Sequence, residues 1–191
     1  MVGVPFRHTV SRGAGPGVRR RSFLTLAGAS AVGVPTLVLL SGCAADDTVH
    51  EPDPLAAQEV LARADAAAAT AAIAAAPQLQ AALATVAAER TAHADALRAE
   101  IDRAVGVYGD GTTPVHRTGE VTVPGPSGAP IPAAQALTPP ATPPTVRQLR
   151  DRLARSQQSA AGLARTQSGY RAGLLASISA ACATQAGVLL A

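Results

Sequence analysis

Three side chains of this sequence have types and positions that could ligate a metal ion: Glu59, Glu89 and His93. Glu89 and His93 are four residues apart in the stretch ERTAHADALRAE, residues 89–100, which is otherwise largely alanine. Carboxylate and imidazole donors suit iron, manganese or zinc. The alternative is that Glu89 and His93 form an ordinary i, i+4 pair, which stabilises a helix by ~0.2–0.5 kcal/mol. The choice depends on what the other helices supply.

A complete two-iron site in a helical bundle needs a Glu from each of two helices and a Glu-x-x-His motif from each of the other two. Here the spacing of Glu89 and His93 is i, i+4 and not i, i+3, and residues 169–190 contain no Asp, Glu or His. Ligand counting therefore excludes a complete di-iron site within one chain. It leaves open a single iron or manganese ion held by Glu59, Glu89 and His93, or half-sites that two chains donate across a homodimer.

No other catalytic motif can be placed on the sequence. There is no Gly-x-Ser-x-Gly turn, and no Ser-His-Asp set can be assembled from the spacing. The glycine-rich stretches GDG and GPSG follow no predicted strand and open no predicted helix, which argues against a phosphate-binding loop. The arginines of the third predicted helix cover several faces of that helix. They indicate a solvated surface or, alternatively, contact with anionic lipid or a wall polymer.

The first 42 residues are typical of an export leader. Arg20 and Arg21 are followed by Phe23 and Leu24 and then by a modestly apolar run. This pattern is similar to the twin-arginine export signal. A membrane-spanning helix over residues 23–40 is the alternative, but two glycines and a proline interrupt that run.

The leader ends in Leu40, Ser41, Gly42 and Cys43, which resembles the lipobox of bacterial lipoproteins. The resemblance implies that Cys43 is acylated and becomes the new N-terminus, followed by a polar tether over residues 43–54. We therefore expect contact with the twin-arginine translocase and the lipoprotein-processing enzymes during export. The mature protein would then be held by its lipid on the outer face of the cytoplasmic membrane, in the cell envelope.

The charge of the mature chain argues against nucleic-acid binding. Five of the 16 basic residues lie in the leader, which leaves 11 arginines against 13 carboxylates. The remaining aromatic residues are Tyr108 and Tyr170, too few for a base-stacking surface. Once Cys43 carries lipid, Cys182 has no partner for a disulfide within the chain, and its apolar surroundings in sequence favour a small core residue over a reactive thiol.

Helical periodicity predicts one all-α domain over residues 55–191. The helices are expected at residues 55–76, 78–104, 145–166 and 169–190. A Pro/Gly-rich crossover over residues 105–144 would return the chain along the bundle if the third helix runs parallel to the second. For residues 124–144 a disordered loop is the alternative. The expected fold is a four-helix bundle with one long crossover.

The order of these parts resembles a ferritin-like domain family of unknown function found in actinobacterial envelope proteins. The resemblance rests on AERTAHADALRAEI in the second helix, the Pro-rich crossover and LLASISAACATQAGVLL in the last helix, and it covers residues 54–191. It implies a ferritin-like fold and carries no assigned activity. The sequence thus predicts a lipid-anchored, non-enzymatic binding or scaffolding module. The alternative is a redox or storage protein that binds iron or manganese.

Overall fold

Four long helices make up most of the described chain. The computed structural model describes residues 49–115 and 117–191. The elements in chain order are α1 (Ala56–Ala72), α2 (Gln80–Val105), β1 (Thr122–Pro124), β2 (Pro130–Pro132), α3 (Ala133–Ala136), α4 (Val146–Ala164) and α5 (Gly169–Thr184). A single π-helical turn, Gln185–Leu189, continues α5. The predicted predominance of helix is confirmed.

The helix ends follow local chemistry. α1 stops at Ala72, four residues short of the predicted end, because Ala76 precedes Pro77 and adopts φ −142° and ψ 65°. Pro77 instead starts a short 3₁₀ turn that leads into α2. α4 begins with a reciprocal cap: the side chain of Thr145 accepts from the backbone N–H of Gln148, whose side chain accepts from the backbone N–H of Thr145.

Side-chain pairs between helices show how the helices run. Between α1 and α2, Asp65 pairs with Arg90 and Glu59 with Arg98. Between α1 and α4, Gln58 pairs with Ser159 and Asp65 with Arg152. Between α2 and α5 with its π-helical turn, Glu100 pairs with Arg171 and Glu89 with Gln185. In each set the residue numbers rise along one helix as they fall along the other, so the helices are antiparallel. α2 and α4 are therefore parallel, and the chain between them must return along the length of the helices.

The connection between α2 and α4 contains secondary structure that periodicity did not predict. β1 and β2 form an antiparallel hairpin in which Val123 pairs with Ile131, and Gly128 lies in its turn with φ 86°. α3 follows directly. Val123 is buried, and both β1 and α3 pack on α1. The prolines at the strand ends are tolerated because a two-stranded hairpin leaves each strand with a free edge.

The apolar interior consists of two clusters. The first contains Ala68, Ala69, Ala72, Ala76, Leu83, Val86, Leu149, Leu153 and Leu190, and the second contains Leu55, Leu97, Ile101, Ala160, Leu175, Ile178 and Cys182. Between the two clusters, α1, α2 and α4 each contribute one buried polar residue to a connected group: Asp65, Arg90 and Ser156, respectively. We call these three residues the polar layer.

The last helix is the most apolar. Gly169–Leu189 has the length and composition of a membrane span, with a mean hydropathy of 1.5. In this structure it packs on α4 and α2, with Leu175, Ile178 and Cys182 buried in the second cluster. Core helices of soluble domains share this composition, so the segment by itself does not define a membrane anchor.

Candidate functional site

A cleft with a volume of about 260 Å³ lies between the hairpin and α3 on one side and α1 and α4 on the other. Alanines of α1 and apolar side chains of the hairpin line much of it. α1 also contributes Asp65, and α4 contributes Arg152, Arg155, Ser156 and Ser159. Small-molecule sites usually measure about 300–1,000 Å³ and combine apolar walls with a few polar groups. The cleft is slightly smaller than this range, but it has the same combination of walls and polar groups and suits a small ligand.

Asp65 belongs to the polar layer and also lines the cleft. Its side chain is almost completely buried, and its Oδ2 accepts hydrogen bonds from Ser156 Oγ at 2.6 Å and from Arg90 Nη2 at 3.1 Å. On the cleft side, Arg152 Nε lies 3.3 Å from Asp65 Oδ1. A carboxylate can be buried at this depth because two guanidinium groups and a hydroxyl replace the water that it loses.

The cleft carries an excess of positive charge. Within residues 49–115 and 117–191, Asp65 is the sole carboxylate among the lining residues, and it already faces Arg90 and Arg152. Arg152 Nε is buried and has no hydrogen-bond acceptor in this part of the chain. Arg155 is exposed at the cleft and forms no ion pair with another residue of the described chain. Among the lining residues, one carboxylate is thus outnumbered by two guanidinium groups, and Arg90 adds a third positive charge behind Asp65.

The interior side of the polar layer holds a histidine and a cysteine. Arg90 Nη1 lies 3.3 Å from His93 Nδ1, which suits a neutral imidazole that accepts from the guanidinium. Burial, and then the charge of Arg90, lower the pKa of His93. Burial raises the pKa of the Cys182 thiol to about 11, so this cysteine is protonated at neutral pH and is unsuited to act as a nucleophile.

The three candidate metal ligands have separate partners. Glu59 pairs with Arg63 and Arg98, while Glu89 Oε2 accepts from Gln185 Nε2 at 2.6 Å. Because Glu59 is level with Arg98, it is about nine residues of α2, or roughly 13 Å, away from Glu89. In the described part of the chain, no three His, Cys, Asp or Glu side chains are grouped to hold a metal ion. The structure therefore does not bring Glu59, Glu89 and His93 into one donor set.

A second cluster of charges joins the ends of α2 and α5 to the segment before α1. Glu100 is buried and accepts from Arg103 at 2.6 and 2.7 Å and from Arg171 Nε at 3.0 Å. Arg171 also donates to Asp53, at 2.8 Å for the shorter contact. The hydrogen bonds from Arg103 and then Arg171 outweigh the effect of burial and lower the pKa of Glu100 to about 2.

This shift predicts a pH dependence of stability. The pKa of Glu100 falls from an ordinary 4.5 to about 2 on folding. The ionised carboxylate therefore contributes fully to the free energy of unfolding above pH 4.5, and this contribution is lost as the pH falls towards 2. We expect the difference in urea midpoint between the wild type and Glu100→Gln to shrink over this range. Asp151→Asn, at an exposed site without an ion pair in the described chain, is the control and should show no such trend. An unchanged difference from pH 7 to pH 2.5 would contradict the assignment.

The sequence contained part of the signal for this site. Arg90 and Ser156 both fall on the apolar face of their helices, where a polar residue requires a buried partner. That partner, Asp65, lies within an alanine run whose period does not single it out. The role of Arg152 and Arg155 depends on the hairpin that packs beside them, and no local pattern predicts this contact.

The export and lipidation residues lie outside the described residues. These are Arg20, Arg21, Phe23, Leu24, Leu40, Ser41, Gly42 and Cys43. Their roles remain predictions from the sequence. Comparison with protein families, curated proteins and solved structures finds no match to this chain.

Proposed function

We propose that this chain is a lipid-anchored envelope protein whose helical domain binds a small ligand in the cleft beside α1 and α4, without catalysis. The cleft carries the proposal, because it combines apolar walls with a small set of polar groups that a ligand can contact. The anchor is proposed from the export leader and from Cys43. The absence of an activated nucleophile at Cys182 accords with a binding role.

We further propose that the domain is ferritin-like. In support, α1 is antiparallel to both α2 and α4, and a long connection separates the two parallel helices, as in bundles with one crossover. In this protein the crossover would serve the site, since its hairpin and α3 line the cleft. A metal-binding role through Glu59, Glu89 and His93 gains no support from the positions of these side chains. Elemental analysis of the exported protein tests that alternative directly.

Filling the cleft tests the binding role. Ala67 lies on the exposed surface of α1 and lines the cleft, so Ala67→Phe should occupy much of the available volume without disturbing the core.

At a concentration about 100-fold above its Kd, a ligand raises the free energy of unfolding by ~2.7 kcal/mol. For a domain of this size we expect the melting temperature to rise by about 5–10 °C.

A thermal-shift screen of small amphipathic compounds should identify ligands that stabilise the wild type but not Ala67→Phe. Ala88→Phe is the matched control, because Ala88 is an exposed alanine of α2 away from the cleft. This control should keep the full ligand-induced shift. A stabilising compound that acts equally on Ala67→Phe would show that the cleft is not the binding site.

A further inference from the structure

We propose that the ligand of the cleft is a small amphipathic anion, with a carboxylate or phosphate head held by Arg152 and Arg155 and a short apolar body against α1 and the hairpin. The proposal rests on the binding role proposed above and specifies the chemistry of the ligand. Three observations support it: the charge of the cleft, the unused donors at its floor and the nature of its walls.

The charge of the cleft favours an anion over a cation or a metal ion. Asp65 is surrounded by Arg90, Arg152 and Ser156, so its carboxylate is compensated before a ligand arrives. A cation entering the cleft would meet the guanidinium groups of Arg152 and Arg155 without a free carboxylate among the described lining residues. An anion would instead balance the excess positive charge, in surroundings that screen it less than bulk water does.

Three hydrogen-bond donors of α4 line the same side of the cleft. Arg152, Arg155 and Ser159 lie three and four residues apart and therefore share one face of the helix. Ser159 Oγ accepts from Gln58 Nε2 at 2.7 Å, which leaves the Ser159 hydroxyl hydrogen free to donate. Guanidinium groups bind carboxylate and phosphate oxygens through short, charge-assisted hydrogen bonds. The α4 face thus offers two guanidinium groups and one hydroxyl to an oxyanion.

The walls require an apolar body attached to that head. Away from the α4 face the cleft is lined by alanines of α1 and by apolar residues such as Val123, Ile131 and Leu137. Inorganic phosphate alone would leave these walls in contact with water. A chain of about six carbons bearing a carboxylate or phosphate would cover them, with each buried CH₂ adding to affinity.

Calorimetric titration of the whole protein, extracted from membranes in a neutral detergent, tests the proposal. The probes are hexanoate, hexyl phosphate, the neutral hexanamide and inorganic phosphate. We expect hexanoate or hexyl phosphate to bind about tenfold or more tightly than hexanamide and inorganic phosphate. The comparison of hexanoate with hexyl phosphate identifies which head group the cleft prefers. Binding of the anionic probes should weaken as the salt concentration rises.

Arg155→Gln is the decisive variant, because Arg155 is exposed, has no ion pair in the described chain and is not needed by the core. It should raise the Kd of the preferred anion about tenfold and leave the Kd of hexanamide unchanged. Arg147→Gln, on an exposed part of the same helix away from the cleft, should leave both values unchanged.

The outcomes separate the two proposals. If hexanamide binds as tightly as the anions and Ala67→Phe abolishes its binding, the cleft is a binding site but the anion inference is wrong. If Arg155→Gln and Arg147→Gln weaken the anion equally, a general surface charge is responsible and the inference is also wrong. If no probe binds saturably, both the anion inference and the cleft as a site for small amphiphiles are overturned.

Discussion

Arg90→Met should lower the free energy of unfolding by about 3 kcal/mol, the lower end of the ~3–5 kcal/mol expected when one partner of a buried ion pair is removed. The Arg90 side chain is 1% exposed and the Asp65 side chain 2% exposed. The variant would leave Asp65 with Ser156 and the partly exposed Arg152, which is why the lower end applies. Urea unfolding followed by circular dichroism measures the change.

The control for this experiment is Arg98→Met, at a half-exposed arginine of the same helix that pairs with Glu59. Arg98 is half exposed and the buried Glu59 keeps its second partner, Arg63, so we expect Arg98→Met to lower the free energy of unfolding by only about 1 kcal/mol. The double variant Arg90→Met with Asp65→Asn should lose less stability than the two single variants summed, because neither buried charge is then left without its partner. Equal losses for Arg90→Met and Arg98→Met would contradict a structural role for the polar layer.

Cys43→Ala should abolish acylation of the protein completely. If residues 40–43 act as a lipobox, the Cys43 thiol carries the diacyl group. Each acyl CH₂ buried in the bilayer then contributes ~0.8 kcal/mol to anchoring. Metabolic labelling with an alkyne-tagged fatty acid should mark the wild type and leave Cys43→Ala unmarked. The intact mass of the wild type should correspond to a chain that begins at residue 43 and carries lipid.

Cys182→Ala is the matched control, since it removes the other cysteine of the chain. Cys182 is fully buried in the second apolar cluster and should not be acylated. We therefore expect Cys182→Ala to keep the label in full. Label that persists in Cys43→Ala, or that disappears in Cys182→Ala, would refute the proposed anchor.

Most of the helical framework could be predicted from the sequence. Long alanine-rich runs without glycine or proline strongly favour helix, and Pro77 and Thr145 mark two of the helix starts through local chemistry. The end of α1 was predicted too late because Ile73 and the three alanines before Pro77 give no sign of where the helix stops. The resulting error is confined to one turn.

The cleft could not be predicted in the same way. Its outer wall is a hairpin of two three-residue strands, and its position depends on Val123 packing against α1, more than 50 residues earlier in the chain. Such a contact is set by long-range packing and leaves no period in the sequence. The arginines of α4 were accordingly interpreted as a solvated surface, although Arg152 approaches Asp65 and Arg150 donates to the Ala186 carbonyl.

The buried pair of Asp65 and Arg90 also determines how α1 and α2 align. Much of the surface that α1 buries is alanine, and a surface of identical small side chains looks nearly the same after a slide of one helical turn, ~5.4 Å. Such a slide would place the Arg90 guanidinium beside Leu61 or Ala69, without a carboxylate to receive it. A uniform alanine interface cannot specify its own register, and the buried pair, together with Glu59 and Arg98 further along the same two helices, supplies the missing reference points.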